Sequence, residues 1–235
     1  KDVLIIPGDC EKKSETLKEM GRKAFEYMKG YIKDNSIIAV SGGYSTMAIA
    51  ENARSIAAKN VTVVPATGGH SGNLETQSNT VAERLAYRIN ADYYPLYLPE
   101  SINDEMLQTM LTDSNISTVI SLIKKTDIFL FGLSTIEQIS QKRRLDEEMK
   151  IYLKERGAIA EAFGYYLDER GSEIYRSGSI GIKMSDYGKI DNVISIAGGS
   201  SKAKAIISIN KNRSNNTLLI DEKAGEEMYN ILGGK

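Results

Sequence analysis

Short apolar runs rich in Val and Ile recur along the chain, and they alternate with longer stretches whose apolar residues fall three or four apart. The first kind reads as buried strand, the second as helix. Residues 3–6 form the first strand pattern, ended by Pro7-Gly8-Asp9. Leu17, Met20, Ala24, Phe25, Met28 and Ile32 then predict an amphipathic helix over 14–32, with Ser14 as its cap. Strand patterns follow at 37–40 and 61–64, with a helix between them running to about residue 57. Val81, Leu85 and Ile89 place a helix over 76–89, and a strand is expected at 93–98. Helical spacing covers 103–112 and 115–124, before a strand at 127–131. The charged stretch 138–156 reads as a solvated helix, 157–166 as a loop leading into a strand, and 171–183 as a β-ribbon. A strand at 193–196, a helix to about 209, a strand at 218–220 and a helix over 222–232 complete the pattern. Strands alternating with helices predict an α/β domain with a mainly parallel sheet.

Glycines punctuate this pattern in a consistent place. Ser41-Gly42-Gly43, Thr67-Gly68-Gly69, Gly132 and Gly198-Gly199 each follow a short apolar strand. In an open parallel sheet all strand C-termini lie on one edge, the edge that binds ligands. The segment from Ile37 to Ala50 is the clearest case: a strand, two glycines, then Ser45 or Thr46 positioned to cap a helix. Backbone N–H groups at such a helix start suit phosphate oxygens. Lys202 follows Gly198-Gly199-Ser200-Ser201 and either supplies a countercharge or is a solvated helix residue. None of the turns matches the G-x-G-x-x-G fingerprint or the P-loop, so neither NAD nor ATP is expected.

Charge and rare residues narrow the chemistry. The 235 residues carry 30 basic and 31 acidic side chains, a balance unlike that of a nucleic-acid-binding surface. One cysteine, Cys10, excludes an intramolecular disulfide framework and a cysteine-rich zinc site. A histidine-based metal centre or triad would depend on His70 alone. No apolar run approaches the ~18 residues of a membrane span. The chain opens on Lys1 without an initiating Met or a signal peptide, as expected for a cytoplasmic segment of something longer.

Five segments carry a resemblance in the same order over nearly the whole chain: residues 37–51, Pro65-Ala-Thr-Gly-Gly69, Gln77-Ser-Asn-Thr80, Glu161-Ala-Phe-Gly-Tyr-Tyr166 and Ile196-Ala-Gly-Gly-Ser-Ser-Lys-Ala203. Together they resemble the C-terminal effector-binding domain of the SorC/DeoR-type bacterial transcriptional repressors, and within that group the regulators of central glycolytic genes. The resemblance implies a Rossmann-like, doubly wound sheet akin to glucosamine-6-phosphate deaminase and ribose-5-phosphate isomerase, with a small β-ribbon insertion. It implies one effector domain over residues 1–235, with the DNA-reading winged helix N-terminal to it and outside this sequence. The expected ligand is a phosphorylated sugar, fructose 1,6-bisphosphate for the glycolytic branch, with no cofactor and no metal. The expected partners are further copies of the chain, as dimer or tetramer, and operator DNA through the N-terminal part only; no membrane is expected.

Carried over by residue, the resemblance puts one phosphate on Gly43, Tyr44, Ser45 and Thr46 with Lys202 as countercharge, and Gly42, Gly199 and Ser200 of the same glycine turns are further ligand-binding candidates. Glu161 is placed on sugar hydroxyls, and Gln77, Thr67, Gly68 and Gly69 beside a second phosphate. The glycolytic regulators have an arginine at the position of Thr67, and two threonines at Tyr44 and Ser45. Losing a bidentate arginine worth about 1.5–3 kcal/mol would weaken a second phosphate by roughly one to two decades, with His70 or Arg84 as candidate substitutes. Each residue has a plainer role open to it. His70 can be a surface histidine, Glu161 a surface charge, Gln77 and Asn79 helix caps, and Tyr44 a packing residue. Lys142-Arg143-Arg144 can meet DNA or be a solvated face.

Two other functional classes fit the pattern. A sugar-phosphate isomerase or deaminase would need a general base, with Glu161, Asp146 or Glu147 available. A purely structural oligomerisation module would have no use for glycines at several strand ends. No paired acid and base is present in the sequence, and a non-enzymatic sensor is the expectation.

Overall fold

The computed structural model describes residues 2–70, 73–178, 180–211 and 215–234. In chain order the first half runs β1 (Val3–Ile6), α1 (Ser14–Lys29), β2 (Ile37–Val40), α2 (Tyr44–Asn52), β3 (Thr62–Pro65), α3 (Ser78–Ile89), β4 (Asp92–Tyr93), α4 (Asp104–Met110), α5 (Ser114–Lys124) and β5 (Ile128–Gly132). The second half continues β6 (Ser134–Thr135), α6 (Ile136–Lys142), α7 (Glu147–Glu155), β7 (Ala158–Ala162), β8 (Tyr165–Asp168), β9 (Glu173–Arg176) and α8 (Met184–Tyr187). It closes with β10 (Asn192–Ile196), α9 (Ala203–Asn210), β11 (Asn216–Asp221) and α10 (Glu222–Ile231).

Seven strands pair in parallel in the order β1-β11-β10-β5-β2-β3-β4. From β2 the chain winds outward through β3 and β4, then returns to β5 at the other flank of β2 and winds the opposite way to β10 and β11. The sheet is therefore doubly wound, and its switch point lies between β2 and β5. The side chains of the central strands alternate cleanly. Ile38, Val40, Ile128 and Leu130 face α1, α2 and α3, where Phe25, Met28, Ile49, Val81 and Leu85 meet them. Ala39, Phe129 and Phe131 face the other layer, against Val119 and Ile123 of α5 and Ile206 and Ile209 of α9. Two-sided burial explains why these strands read as continuous apolar runs.

A second, antiparallel sheet, ordered β6-β7-β8-β9, leaves the main sheet directly after β5. Phe163, at the β7–β8 turn, anchors it edge-on against Phe129 and Phe131, with ring centroids 5.1 and 5.2 Å away. No helix among the described residues is long and apolar enough to cross a membrane.

Several expected boundaries shift for identifiable reasons. Residues 157–166 form a hairpin rather than a loop into one strand, because the tight Phe163–Gly164 turn lets β7 fold back onto β8. The strand expected over 93–98 stops at Tyr93. Pro95 cannot continue a ladder, and the Asn79 side chain takes over by accepting from the Leu96 amide and donating to the Leu96 carbonyl (both 2.9 Å). Asn79 is thus a strand substitute and not a cap. Residues 138–156 split into α6 and α7: Arg144 adopts φ 52°, and Asp146 starts α7 by accepting from the Met149 amide at 2.8 Å. Ser14 begins α1 without capping it, and α2 ends at Asn52. Of the glycine-rich loop 66–72, Ser71 and Gly72 lie outside the described residues, as does Ser179 of the expected ribbon.

Candidate functional site

The switch point fixes where a ligand would sit, at the C-terminal ends of β2 and β5. Ser41 continues the β2 ladder by donating to the Leu130 carbonyl (2.9 Å), and its hydroxyl accepts from the Gly132 amide (3.2 Å). Next, Gly42 runs so close to the start of α3 that an added Cβ would lie 2.4 Å from the Thr76 carbonyl oxygen. Only glycine permits that approach, and it lets the Gly42 amide donate to Ser78 Oγ at 2.9 Å. Gly43, at φ 143°, then turns the chain into α2.

Neither Ser45 nor Thr46 caps α2. Gly43 is the N-cap and no side chain closes the helix start, while Thr46 Oγ1 donates back to the Gly43 carbonyl (3.1 Å). First-turn amides of an uncapped helix have no intrahelical partner. They open onto a cavity of about 310 Å³ bounded by the β2–α2 turn, the β5–β6 segment, α6 and the β7–β8 hairpin.

Two lysines line the cavity. Lys142, from the last turn of α6, stands 6.0 Å from the Tyr44 ring centroid, and Lys202 ends the 3₁₀ turn before α9. Neither forms an ion pair among the described residues. Burial lowers the pKa of both; Glu161 opposes this at Lys142, and Cys10, Glu11 and Asp221 oppose it at Lys202.

Arg143 and Glu161 also line the cavity, and behind them lies an ion cluster. Arg143 binds Glu100, reaches Glu161 Oε1 at 3.1 Å and donates to Ser177 Oγ at 3.0 Å. Glu161 also accepts from the Gly164 amide (2.9 Å), and Ser177 hydrogen-bonds Glu100. Burial alone would lower the Arg143 pKa, but Glu161 and Glu100 outweigh it and hold it above the ordinary guanidinium value. Thr67 Oγ1 and Ser78 Oγ, also in the lining, lie 2.7 Å apart.

Of the residues expected to bind, Gly42, Gly43, Tyr44, Ser45, Thr67, Glu161 and Lys202 line this cavity, as does His70. Others do not. Thr46 is fully buried against its own helix start. Gly68 is packed on the backbone of Leu98 and Glu100, and Gly69 is knitted to the same stretch through its amide and carbonyl. Gln77 donates to the His70 carbonyl (2.9 Å) and so braces the loop rather than facing the ligand space. The Gly199 amide is taken by Asp221, and Ser200 is exposed. Arg84 is exposed on α3 and does not line the cavity.

The residues missed from sequence are Lys142, Arg143, Ser78 and Glu100. Lys142 and Arg143 fall in the stretch read as a solvated face. The signal that separates them from α7 is Asp146 followed by Glu147 and Glu148, an acidic helix start. Of the suggested general bases, Asp146 caps α7, Glu147 pairs with Lys150, and Glu161 is held by Arg143 and the Gly164 amide.

Comparison with known proteins places the chain in a family. Residues 1–230 match the sugar-binding domain family Sugar-bind. The chain is 30% identical to the central glycolytic genes regulator of Bacillus subtilis over 229 residues, 97% of this chain and 67% of the relative. It is 28% identical to the deoxyribonucleoside regulator of the same organism over 224 residues, 91% of this chain and 71% of that protein. Among solved structures, a SorC family transcriptional regulator from Enterococcus faecalis superposes with a TM-score of 0.89 at 29% identity, over 96% of this chain and 93% of the other. These relatives are transcriptional regulators, not enzymes. The chain belongs to the sugar-binding domain family of the SorC/DeoR-type transcriptional regulators.

Proposed function

We propose that the domain senses a phosphorylated sugar in the cavity at the switch point. The phosphate sits on the first-turn amides of Tyr44 and Ser45 with Lys142 and Lys202 as countercharges, and Glu161 takes hydrogen bonds from sugar hydroxyls. The observation that carries this reading is the meeting, in one cavity, of an uncapped helix start and two lysines that form no ion pair among the described residues. Fructose 1,6-bisphosphate is the effector suggested by the likeness to the glycolytic regulator. Its second phosphate would fall toward Thr67, Ser78 and Arg143.

In the whole protein, binding changes the association of protomers and the hold of an N-terminal winged-helix unit on operator DNA, in the cytoplasm. Such a change requires the ligand to bind two states of the protein with different affinity. An isomerase or deaminase reading is less favoured, since Glu161, the carboxylate in the cavity lining among the described residues, is engaged by Arg143 and the Gly164 amide.

A thermal-shift panel tests the ligand class: fructose 1,6-bisphosphate, fructose 6-phosphate, glucose 6-phosphate, dihydroxyacetone phosphate, ribose 5-phosphate and inorganic phosphate. A phosphosugar at one hundred times its dissociation constant should stabilise the domain by ~2.7 kcal/mol and be recovered unchanged. A panel in which no phosphosugar shifts the melting temperature would sink the reading and leave the fold untouched.

A further inference from the structure

A groove of about 560 Å³ lies away from the switch point, between α4, α5, α8 and residues 180–183. Its floor is apolar. Ile123, Ile182 and Ile190 are buried there, and Leu107, Leu111 and Ile120 are half-buried beside them. Its charged lining is Lys124, Lys183 and Lys189 against Asp186 alone, so the groove is net positive. Lys189 and Asp186 pair at 3.4 Å, whereas Lys124 and Lys183 form no ion pair among the described residues. Gln108, Thr126 and Ser185 are its uncharged polar side chains, and the Thr126 hydroxyl is spent on the Ile123 carbonyl (2.7 Å). The 180–183 wall is fixed from behind. The Ile182 amide donates to the Ala66 carbonyl (2.8 Å), Gly181 bridges to Thr67, and a Cβ at Gly181 would collide with the Ala66 carbonyl. The groove is therefore preformed, and its size and mostly apolar lining suit a small molecule oriented by a few polar groups.

We propose that this groove is a second ligand site, for an amphipathic anion. The apolar body of the ligand lies on the Leu107, Ile120 and Ile190 floor, and its carboxylate meets Lys124 and Lys183. A sugar is a poor occupant, because the leucine and isoleucine side chains of the floor offer its hydroxyls no partner. A second copy of the chain is a poor cover as well. A two-fold contact sets one patch against itself, and here it would oppose two net positive surfaces. The inference is independent of what the switch-point cavity holds.

Calorimetric titration of the domain with octanoate, decanoate and the neutral decanamide tests it. Decanoate should bind, and on the order of tenfold tighter than octanoate, because two more methylenes are buried. Decanamide should bind about tenfold more weakly than decanoate, for want of the charge. The double variant Lys124→Ala, Lys183→Ala should weaken decanoate by about tenfold or more. Gln108→Glu with Ser185→Glu should weaken it too, by adding carboxylates to the lining. All four positions are exposed, so both double variants should fold. Three results overturn the proposal: no binding of decanoate, equal binding of decanamide, or decanoate binding that both groove variants leave intact and Lys202→Ala abolishes, which places the anion in the switch-point cavity. Sedimentation showing a dimer that Gln108→Glu with Ser185→Glu dissociates would assign the groove to a second copy and overturn the proposal as well.

Discussion

Arg143→Met is expected to destabilise the free domain by about 3–5 kcal/mol, because it strands two buried carboxylates on one missing cation. Methionine keeps much of the side-chain volume, so the loss reports charge rather than a void. The cluster joins three separate pieces of chain: Glu100 after β4, Arg143 at the end of α6, and Glu161 in β7, with Ser177 after β9 as a fourth contact. It is the polar counterpart of the Phe129–Phe131–Phe163 contact that seats the small sheet on the large one. At ~2–4 °C per kcal/mol for a domain of this size, the melting temperature should fall by roughly 10 °C. Adding Glu100→Gln and Glu161→Gln to the same chain should recover part of that, since both uncompensated charges are then gone. Denaturant unfolding of the three proteins is the check. A loss below ~1 kcal/mol for Arg143→Met would mean that the cluster behaves like a surface pair and does not hold the hairpin in place.

Removing the lysines should act on the ligand and leave the fold alone. Lys142→Ala and Lys202→Ala are each expected to weaken phosphosugar binding by about tenfold to a hundredfold, from ~1.5–3 kcal/mol per hydrogen bond to a charged group. Neither lysine has an ion pair among the described residues, so the unliganded melting temperature should stay nearly constant. The pH dependence has a definite sign. Burial lowers both lysine pKa values in the free domain, and a bound phosphate raises them. Affinity is thus greatest below the lowered free-domain values and falls as pH rises through them toward the bound-state values. The double variant should lose that pH slope along with the binding. If it binds as the wild type does, the phosphate is elsewhere.

Much of the large sheet was legible because its strands are buried on both faces and carry the pattern locally. Ile37–Val40 and the Ser41-Gly42-Gly43 turn announce a strand and a close approach within seven residues. The small sheet was less so. Its strands are short, and the hairpin depends on Phe163 adopting φ 39°, unusual for a bulky residue, with Gly164 as the neighbouring turn signal. Within the cavity, the glycine turns were visible from sequence and the Lys142 and Arg143 side was not. A basic triplet in a charged stretch looks solvated until the break at Arg144 turns α6 toward the β7–β8 hairpin. Glu100 has no local signal at all. It reaches Arg143 across forty-three positions, and only the tertiary fold creates that contact. The role expected of Gln77 meets a competing demand for a related reason: its side-chain amide donates to the His70 carbonyl, and the residue does not line the cavity.

A crystal structure of the domain grown with fructose 6-phosphate tests the central claim most directly. The account predicts the phosphorus over the Tyr44 and Ser45 amides, with Lys142 and Lys202 within hydrogen-bond distance of its oxygens and the sugar hydroxyls facing Glu161 and Thr67. A sugar phosphate seated instead in the separate groove lined by Leu107, Ile120, Lys124, Lys183 and Lys189 would contradict it, because that groove is not at the β2–β5 switch point.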